Sequence, residues 1–229
     1  MEIEKIACIR TDFTTKFGIP RQSGLIKKLR GEIIFEPKYR NPDAIRGIEE
    51  FSHLWIIWGF SENEGAKYNP TVRPPRLGGN IKRGVFASRS PFRPNGMGLS
   101  LVRLEQVRKT DTHGLTLIVS GVDMLDKTPI YDIKPYLPIS DTAPDALGGF
   151  ASERFDYSLK VECDKALLCS LPEDKQEIIL EILASDPRPA YIDDQDREFG
   201  FAFADYEIKF KVEDGTLRVT SICEDKNEK

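Results

Sequence analysis

Between Thr71 and Asn95 the chain carries Arg73, Arg76, Lys82, Arg83, Arg89 and Arg93 and no acid. Cations this dense repel one another unless an anion is to be bound. Pro74, Pro75, Pro91 and Pro94 pre-order the backbone and lower the entropic cost of holding the guanidiniums in place. The planar guanidinium fork suits phosphate or carboxylate. These residues predict an anion-binding loop, set against the plainer reading of a solvated basic loop.

Two further polar stretches could carry chemistry. In KFGIPRQ (Lys16–Gln22), Gly18 permits an unusual backbone and Pro20 fixes the chain before Arg21 and Gln22. The stretch reads equally as a tight turn or as an Arg/Gln pair presented to a polar ligand. In DMLDKTPIYDIKPYLP (Asp123–Pro138), Asp126, Asp132 and Tyr136 supply carboxylates and a phenol that could accept a proton or bind a ribose. The plainer alternative is a turn at Asp126-Lys127 and a local cap at Asp132.

Several chemistries are unsupported. There is no G-x-G-x-x-G after a strand, no Walker A sequence and no G-x-S-x-G. His53 and His113 stand in no pattern with a serine or cysteine nucleophile. Cys8, Cys163, Cys169 and Cys223 form no C-x-x-C pair, so no zinc site and no metal is expected. Free thiols and the absence of a signal-like N-terminus fit a cytoplasmic protein, and LWIIWGF (Leu54–Phe60) is too short to cross a membrane. The net charge of −4 argues against a protein that coats nucleic acid, so the local basic loop matters more than the sum. The segment from Asp193 onward is, by contrast, predominantly acidic.

The elements that must position these loops read as strands separated by turns. The pattern predicts strands at Glu4–Arg10, Glu32–Glu36, Ser52–Phe60, Gly84–Ala87, Leu99–Val107 and Leu115–Val122. The continuous apolar HLWIIWGF predicts a strand buried on both faces. Asn41-Pro42 before DAIRGIEEF predicts an N-cap and a short helix. Strands without long intervening helices point to an antiparallel sheet or barrel. PISDTAPDALGG (Pro138–Gly149) reads as a linker. Beyond it, a period-2 strand over Phe155–Cys163, a helix through Ile178, Ile179, Ile182 and Leu183, and strands Tyr206–Val212 and Leu217–Ile222 joined at Asp214-Gly215 predict a small α+β domain. The expected division is a mainly β domain over 1–140, a linker over 141–154 and an α+β domain over 155–229.

Taken in order, KFGIPRQ, AIRGIEEFSHLWIIWGF, TVRPPRLGGN, GVFASRSPFRPN and DMLDKTPIYDIKPYLP resemble successive blocks of the TsaA-like family of TrmO-type tRNA methyltransferases. DPRPAY (Asp186–Tyr191) and FADYEIKF resemble its longer bacterial members. The resemblance implies a single-sheeted, non-Rossmann β-barrel that binds S-adenosylmethionine. It implies a homodimer that methylates N6 of N6-threonylcarbamoyladenosine beside the anticodon of threonine tRNA. It also implies cofactor contacts at Arg21, Gln22, Ser23, Ser61, Glu62, Arg89, Leu99, Thr128, Pro129 and Ile130. Phosphate contact then falls to Arg73, Arg76, Lys82, Arg83 and Arg93, with Phe92 and Tyr136 as surfaces for base stacking. Asp126, Asp132 and Tyr136, in that order, are the candidates for the base. The chain departs from the family pattern at Thr11-Asp12 (usually Ser-Pro), at Gly96 (usually Pro) and at Lys127 (usually Gly). The Gly96 change predicts a looser arginine loop. A non-enzymatic cofactor- or RNA-binding module and a small-molecule methyltransferase remain the alternatives at this point.

Overall fold

Alternate side chains of the N-terminal strands point to one interior. In β1 (Ala7–Thr11), Ala7 and Ile9 are buried; in β2 (Arg30–Phe35), Ile33 and Phe35; in β3 (His53–Gly59), Leu54, Ile56 and Trp58. This is the period-2 signature of a sheet with one packed face. The structure is a computed structural model, and it describes all residues except 1, 64, 66, 75–80, 155–157, 189–196 and 226–229.

Six strands close on themselves in the order β1-β2-β7-β6-β3-β8, where β6 is Met97–Thr110, β7 Gly114–Ser120 and β8 Pro129–Pro135. Every pairing in this ring is antiparallel, and β8 returns to β1 through Ala7↔Ile130 and Cys8↔Pro129. Closure leaves no free edge. β8 carries a bulge: Ile57 faces Asp132 while Trp58 faces Ile130, so Tyr131 has no partner on β3. A separate ribbon, β4 (Thr71–Val72) with β5 (Arg83–Gly84), stands in the basic loop.

Past the short helix α1 (Pro138–Asp141) lies a second sheet of order β10-β11-β12-β9. Its strands are β9 (Lys160–Glu162), β10 (Phe199–Phe203), β11 (Tyr206–Glu213) and β12 (Thr216–Glu224), and β9 joins β12 in parallel. Helix α2 (Lys165–Leu168) starts at Asp164, whose carboxylate accepts the Ala166 amide at 2.7 Å. Helix α3 (Glu173–Ala184) buries Ile178, Ile179, Ile182 and Leu183.

The two sheets share one core. The chain between β1 and β2 supplies the joint. Phe13 meets Phe203 with ring centroids 5.5 Å apart, and Phe17 meets Phe201 edge-on at 6.0 Å. Gly18 has φ +94, and a Cβ there would lie 2.4 Å from the Phe201 ring. The Asp12 carbonyl accepts the Ala204 amide at 2.7 Å, while its carboxylate pairs with Lys175 of α3. The acid found where the family usually has proline therefore has a cationic partner across the joint.

Several expectations are corrected. The β3 strand is not buried on both faces: Trp55 and Ile57 are only partly covered, because they lie outside the ring, where the Trp55 indole donates to Asp141 at 2.9 Å. The expected helix after Asn41 is instead two 3-10 turns, Pro42–Ile45 and Ile48–Glu50, split by Gly47 at φ +82. The Asn41 cap itself is present, accepting from the Asp43 amide at 3.0 Å. Gly84–Ala87 gives only the end of β5 before a 3-10 turn at Val85–Ala87. Strands β8 and β10 are additional to those expected, and of the strand expected over Phe155–Cys163 only β9 is regular among the described residues.

Candidate functional site

The site gathers at one end of the ring, where β3 finishes, β6 begins and β8 begins. Trp58, Gly98 and Ile130 are neighbours there across the β3–β6 and β3–β8 pairings. The inter-strand chain 12–29 closes over this end. Gly24 donates its amide to the Gly121 carbonyl at 2.8 Å, and the positive φ of Gly121 (+75) turns the chain out of β7. Ser23 is fixed by accepting the Leu101 amide on its hydroxyl at 3.1 Å.

Inside this closure runs a buried polar chain. The Trp58 indole donates to Ser100 Oγ at 2.9 Å, and Ser100 Oγ donates to Asp123 Oδ1 at 2.6 Å. Burial pushes the Asp123 carboxyl up to about 6, although hydrogen bonds from Ser100 and the Ser23 backbone and the charge of Arg89 work against the rise. Asp123 is the member of this cluster that sequence reading did not single out. It opens the DMLDKTP stretch, but nothing in the local pattern shows that it is partly covered by Ser23. A signal was present in Ser100, a polar residue at an inward-facing position of a strand.

The arginine loop reaches the same place. Arg89 donates to the Gln22 side-chain oxygen, which joins two of the expected cofactor segments. Leu99 is 54% exposed beside them on β6. Ser61 and Glu62 lie exposed in the 3-10 turn Ser61–Asn63, and Lys16 ties that turn to the inter-strand chain by donating to the Glu62 carbonyl at 3.2 Å. The structure thus brings together Gln22, Ser23, Arg89 and Leu99, with Ser61 and Glu62 alongside.

Other expected contacts face elsewhere. Arg21 donates to the carbonyls of Asp186 (3.1 Å) and Arg188 (3.3 Å), so in this conformation its guanidinium serves the domain joint. Thr128 and Ile130 are fully buried, leaving backbone and the edge of Pro129 at the surface. The Thr128 carbonyl accepts the Ile9 amide at 3.1 Å. Lys127, beside them, has φ +63, which accounts for the family's usual glycine.

The three acid–base candidates do not converge. Asp126 sits at the site's end of β8, where it accepts the Thr11 amide at 3.1 Å and lies 3.7 Å from Arg10. Asp132 pairs with Lys134 at 2.9 Å and accepts the Ile133 amide. Tyr136 lies past the far end of β8, with its hydroxyl 2.9 Å from Thr142 and its ring against His53 and Trp55. A seven-residue strand separates it from Asp126, roughly 20 Å.

Of the expected phosphate contacts, Arg73, Lys82 and Arg83 are exposed on or beside the β4–β5 ribbon, and none forms an ion pair among the described residues. Arg76 lies outside the described residues. Arg93 is turned inward: it donates to the carbonyls of Ser88 at 2.7 Å and Val85 at 3.2 Å and lies over the Phe86 ring. Its head braces the loop instead of facing solvent. Phe86 (72% exposed) and Phe92 are the open aromatic rings here.

Comparison with known proteins gives this geometry its setting. Residues 8–142 match the tRNA-methyltransferase O N-terminal domain, and residues 154–225 match the TrmO C-terminal domain. The chain belongs to the TrmO family. A tRNA (adenine(37)-N6)-methyltransferase of Escherichia coli K12 is 40% identical over 96% of this chain and 97% of its own length. One of the same name from Eikenella corrodens is 45% identical over 75% of this chain and 97% of its own. The crystal structure of TrmO from Pseudomonas aeruginosa superposes with a TM-score of 0.76 at 31% identity, covering 97% of this chain and 98% of that one. The two-domain, mainly β architecture is therefore the TrmO architecture.

Proposed function

We propose that this protein uses S-adenosylmethionine to methylate N6 of adenosine 37 in tRNA, acting on N6-threonylcarbamoyladenosine in threonine tRNA. The observation that carries the reading is the meeting of Gln22, Ser23, Arg89 and Leu99 near Asp123, with Arg89 on the same loop as a basic ribbon whose Arg73, Lys82 and Arg83 form no ion pair among the described residues. Family membership supports the tRNA and the cofactor. The threonylcarbamoyl group and the tRNA identity rest on the resemblance of the sequence blocks.

The residues fit the cofactor. Arg89 forms no ion pair among the described residues and so offers a guanidinium to a carboxylate or an adenine. Exposed Leu99 offers an apolar surface, and the Asp123 carboxyl lends negative potential next to a cation. Gln22, Ser23, Arg89 and Leu99 would hold the cofactor, with the 61–62 turn and the Pro129 edge at its sides. When bound, S-adenosylmethionine supplies an electrophilic methyl on sulfur. The work of the protein is to orient the acceptor nitrogen in line with that methyl. In the threonylcarbamoyl group this nitrogen belongs to a urea, so its lone pair is delocalised and removal of its proton helps. Asp126, on the site's end of β8, is the group we assign to that proton; Asp132 and Tyr136 are directed elsewhere. Arg73, Lys82 and Arg83 contact tRNA phosphates, and Phe86 and Phe92 receive unstacked bases of the loop.

The same proposal takes the closed six-strand ring as a single-sheeted barrel, with residues 1–140 as the cofactor-binding domain, 141–154 as the linker and 155–229 as the C-terminal domain. It takes the enzyme as a cytoplasmic homodimer without a metal. Exposed Leu137, Ile139 and Leu147 offer an apolar strip to a second copy, which light scattering of the purified protein tests.

The deciding assay uses methyl-labelled S-adenosylmethionine with tRNA that carries or lacks the threonylcarbamoyl group. Label in the modified tRNA alone is expected. Equal label in both removes the threonylcarbamoyl requirement, and no label with cofactor bound replaces the enzyme with a binding module.

A further inference from the structure

The chain Trp58–Ser100–Asp123 enters the scheme above only as a source of negative potential, yet it ties β3 and β6 to the segment that precedes β8. Ser100 is fully buried, as is most of the Trp58 indole, and their hydrogen bonds are well formed at 2.9 and 2.6 Å. Asp123 also receives the Ser23 backbone amide, while Ser23 Oγ holds the Leu101 amide. One carboxyl thereby joins the start of β6 to the Gln22–Ser23 segment. An uncharged amide at 123 could still accept the Ser100 hydroxyl. What a carboxylate adds at this partly buried position is its charge.

The charge that bears on Asp123 is Arg89, from the arginine loop. Among the described residues the other groups that meet it are neutral: β6 gives the Ser100 hydroxyl, itself bonded to the Trp58 indole of β3, and the inter-strand chain gives the Ser23 amide. We propose that Asp123 is a positioning residue: its ionised carboxylate draws the Gln22–Ser23 segment and Arg89 into one cofactor grip, and its protonation loosens that grip. The inference rests on the cofactor reading given above. It assigns to this enzyme a site whose affinity is set by one internal proton, taken up as the pH falls through the weakly acidic range. Ser100 tunes that proton by donating to the charged form, and Trp58 keeps the Ser100 hydroxyl aimed at Asp123 by occupying its acceptor side.

The test is calorimetric binding of S-adenosylhomocysteine between pH 5 and 8.5, without tRNA and without turnover. For the unaltered protein we expect affinity to fall about tenfold or more on acidification, with a midpoint near pH 6. Asp123→Asn should bind weakly at every pH, matching the acid limit of the unaltered protein. Ser100→Ala keeps the carboxyl and loses its donor, so its midpoint should move to higher pH. Flat binding by the unaltered protein, full-strength binding by Asp123→Asn, or an unmoved midpoint in Ser100→Ala each overturns the proposal. If the unaltered protein binds neither S-adenosylhomocysteine nor S-adenosylmethionine at any pH, the cofactor reading itself falls and takes the inference with it. If it binds well but without pH dependence, only the inference falls.

Discussion

Trp58 fills the space that a side chain at Gly98 would need: a Cβ built on Gly98 comes within 2.3 Å of the indole. The pair faces across the β3–β6 register, so the indole that donates to Ser100 is seated by the absence of a side chain opposite it.

Gly98→Ala should therefore cost more than an ordinary strand substitution. The clash is with a rigid, buried ring, and overpacking of this kind costs about 1–3 kcal/mol. We expect a fall of several degrees in the thermal unfolding midpoint and a changed near-ultraviolet tryptophan signal. An unchanged midpoint would show that Trp58 can move aside freely.

Asp123 makes a stability prediction with a definite sign. Its carboxyl titrates near 6 in the folded chain against an ordinary value of 3.8, so the folded state holds a proton that the unfolded state has lost between those limits. Its contribution to stability therefore worsens as pH rises through that window and is fully unfavourable above it, by on the order of 3 kcal/mol. Asp123→Asn should be the more stable protein at pH 7.5, and the gap should close near pH 4. Denaturant titrations of both proteins across this range provide the check.

Lys127 should gain from becoming glycine. Its φ of +63 is unfavourable for a side chain, while glycine adopts it without strain. After the entropic cost of a glycine in the unfolded chain, Lys127→Gly should stabilise by about 0.5–1 kcal/mol, read as a higher denaturant midpoint at constant slope.

The basic residues should separate by salt dependence. If Arg73, Lys82 and Arg83 meet phosphates, replacing each with alanine should lower the slope of log affinity against log salt by about 0.7. Arg93→Ala should leave that slope alone, because its guanidinium is directed to the Val85 and Ser88 carbonyls. It should instead weaken tRNA binding uniformly by loosening the loop.

Arg21→Ala should lower the unfolding midpoint, since it removes donors from the Asp186 and Arg188 carbonyls; hydrogen bonds from charged groups, here partly exposed, are worth about 1–2 kcal/mol. A fall in cofactor affinity with no loss of stability would return Arg21 to direct cofactor contact.

The sequence was most legible where one face of a strand is apolar. Alternation located most of the ring and the β11–β12 hairpin, and charge density alone singled out the arginine loop. It was less legible where turn residues sit inside a strand. β8 begins with Pro129 and contains a bulge at Tyr131, so it reads as turns, and its one acid, Asp132, reads as catalytic. Arg93 shows the limit of charge counting: the count cannot tell a guanidinium that faces RNA from one that holds its own loop. Asp123 was hidden for the opposite reason. Its burial comes from a segment a hundred residues earlier in the chain, and no local pattern carries that information.

The inter-strand chain between β1 and β2 has two working sides. Phe13, Phe17 and Gly18 meet the second sheet, and a few residues on, Gln22 and Ser23 meet the arginine loop and Asp123. Docking of the C-terminal domain and filling of the proposed cofactor site would thus act on the same short piece of backbone. If the two are coupled through this backbone, the coupling is the same in both directions. A change in how the C-terminal sheet packs on Phe13 and Phe17 would thus be expected to reach Gln22 and Ser23 through five residues of chain.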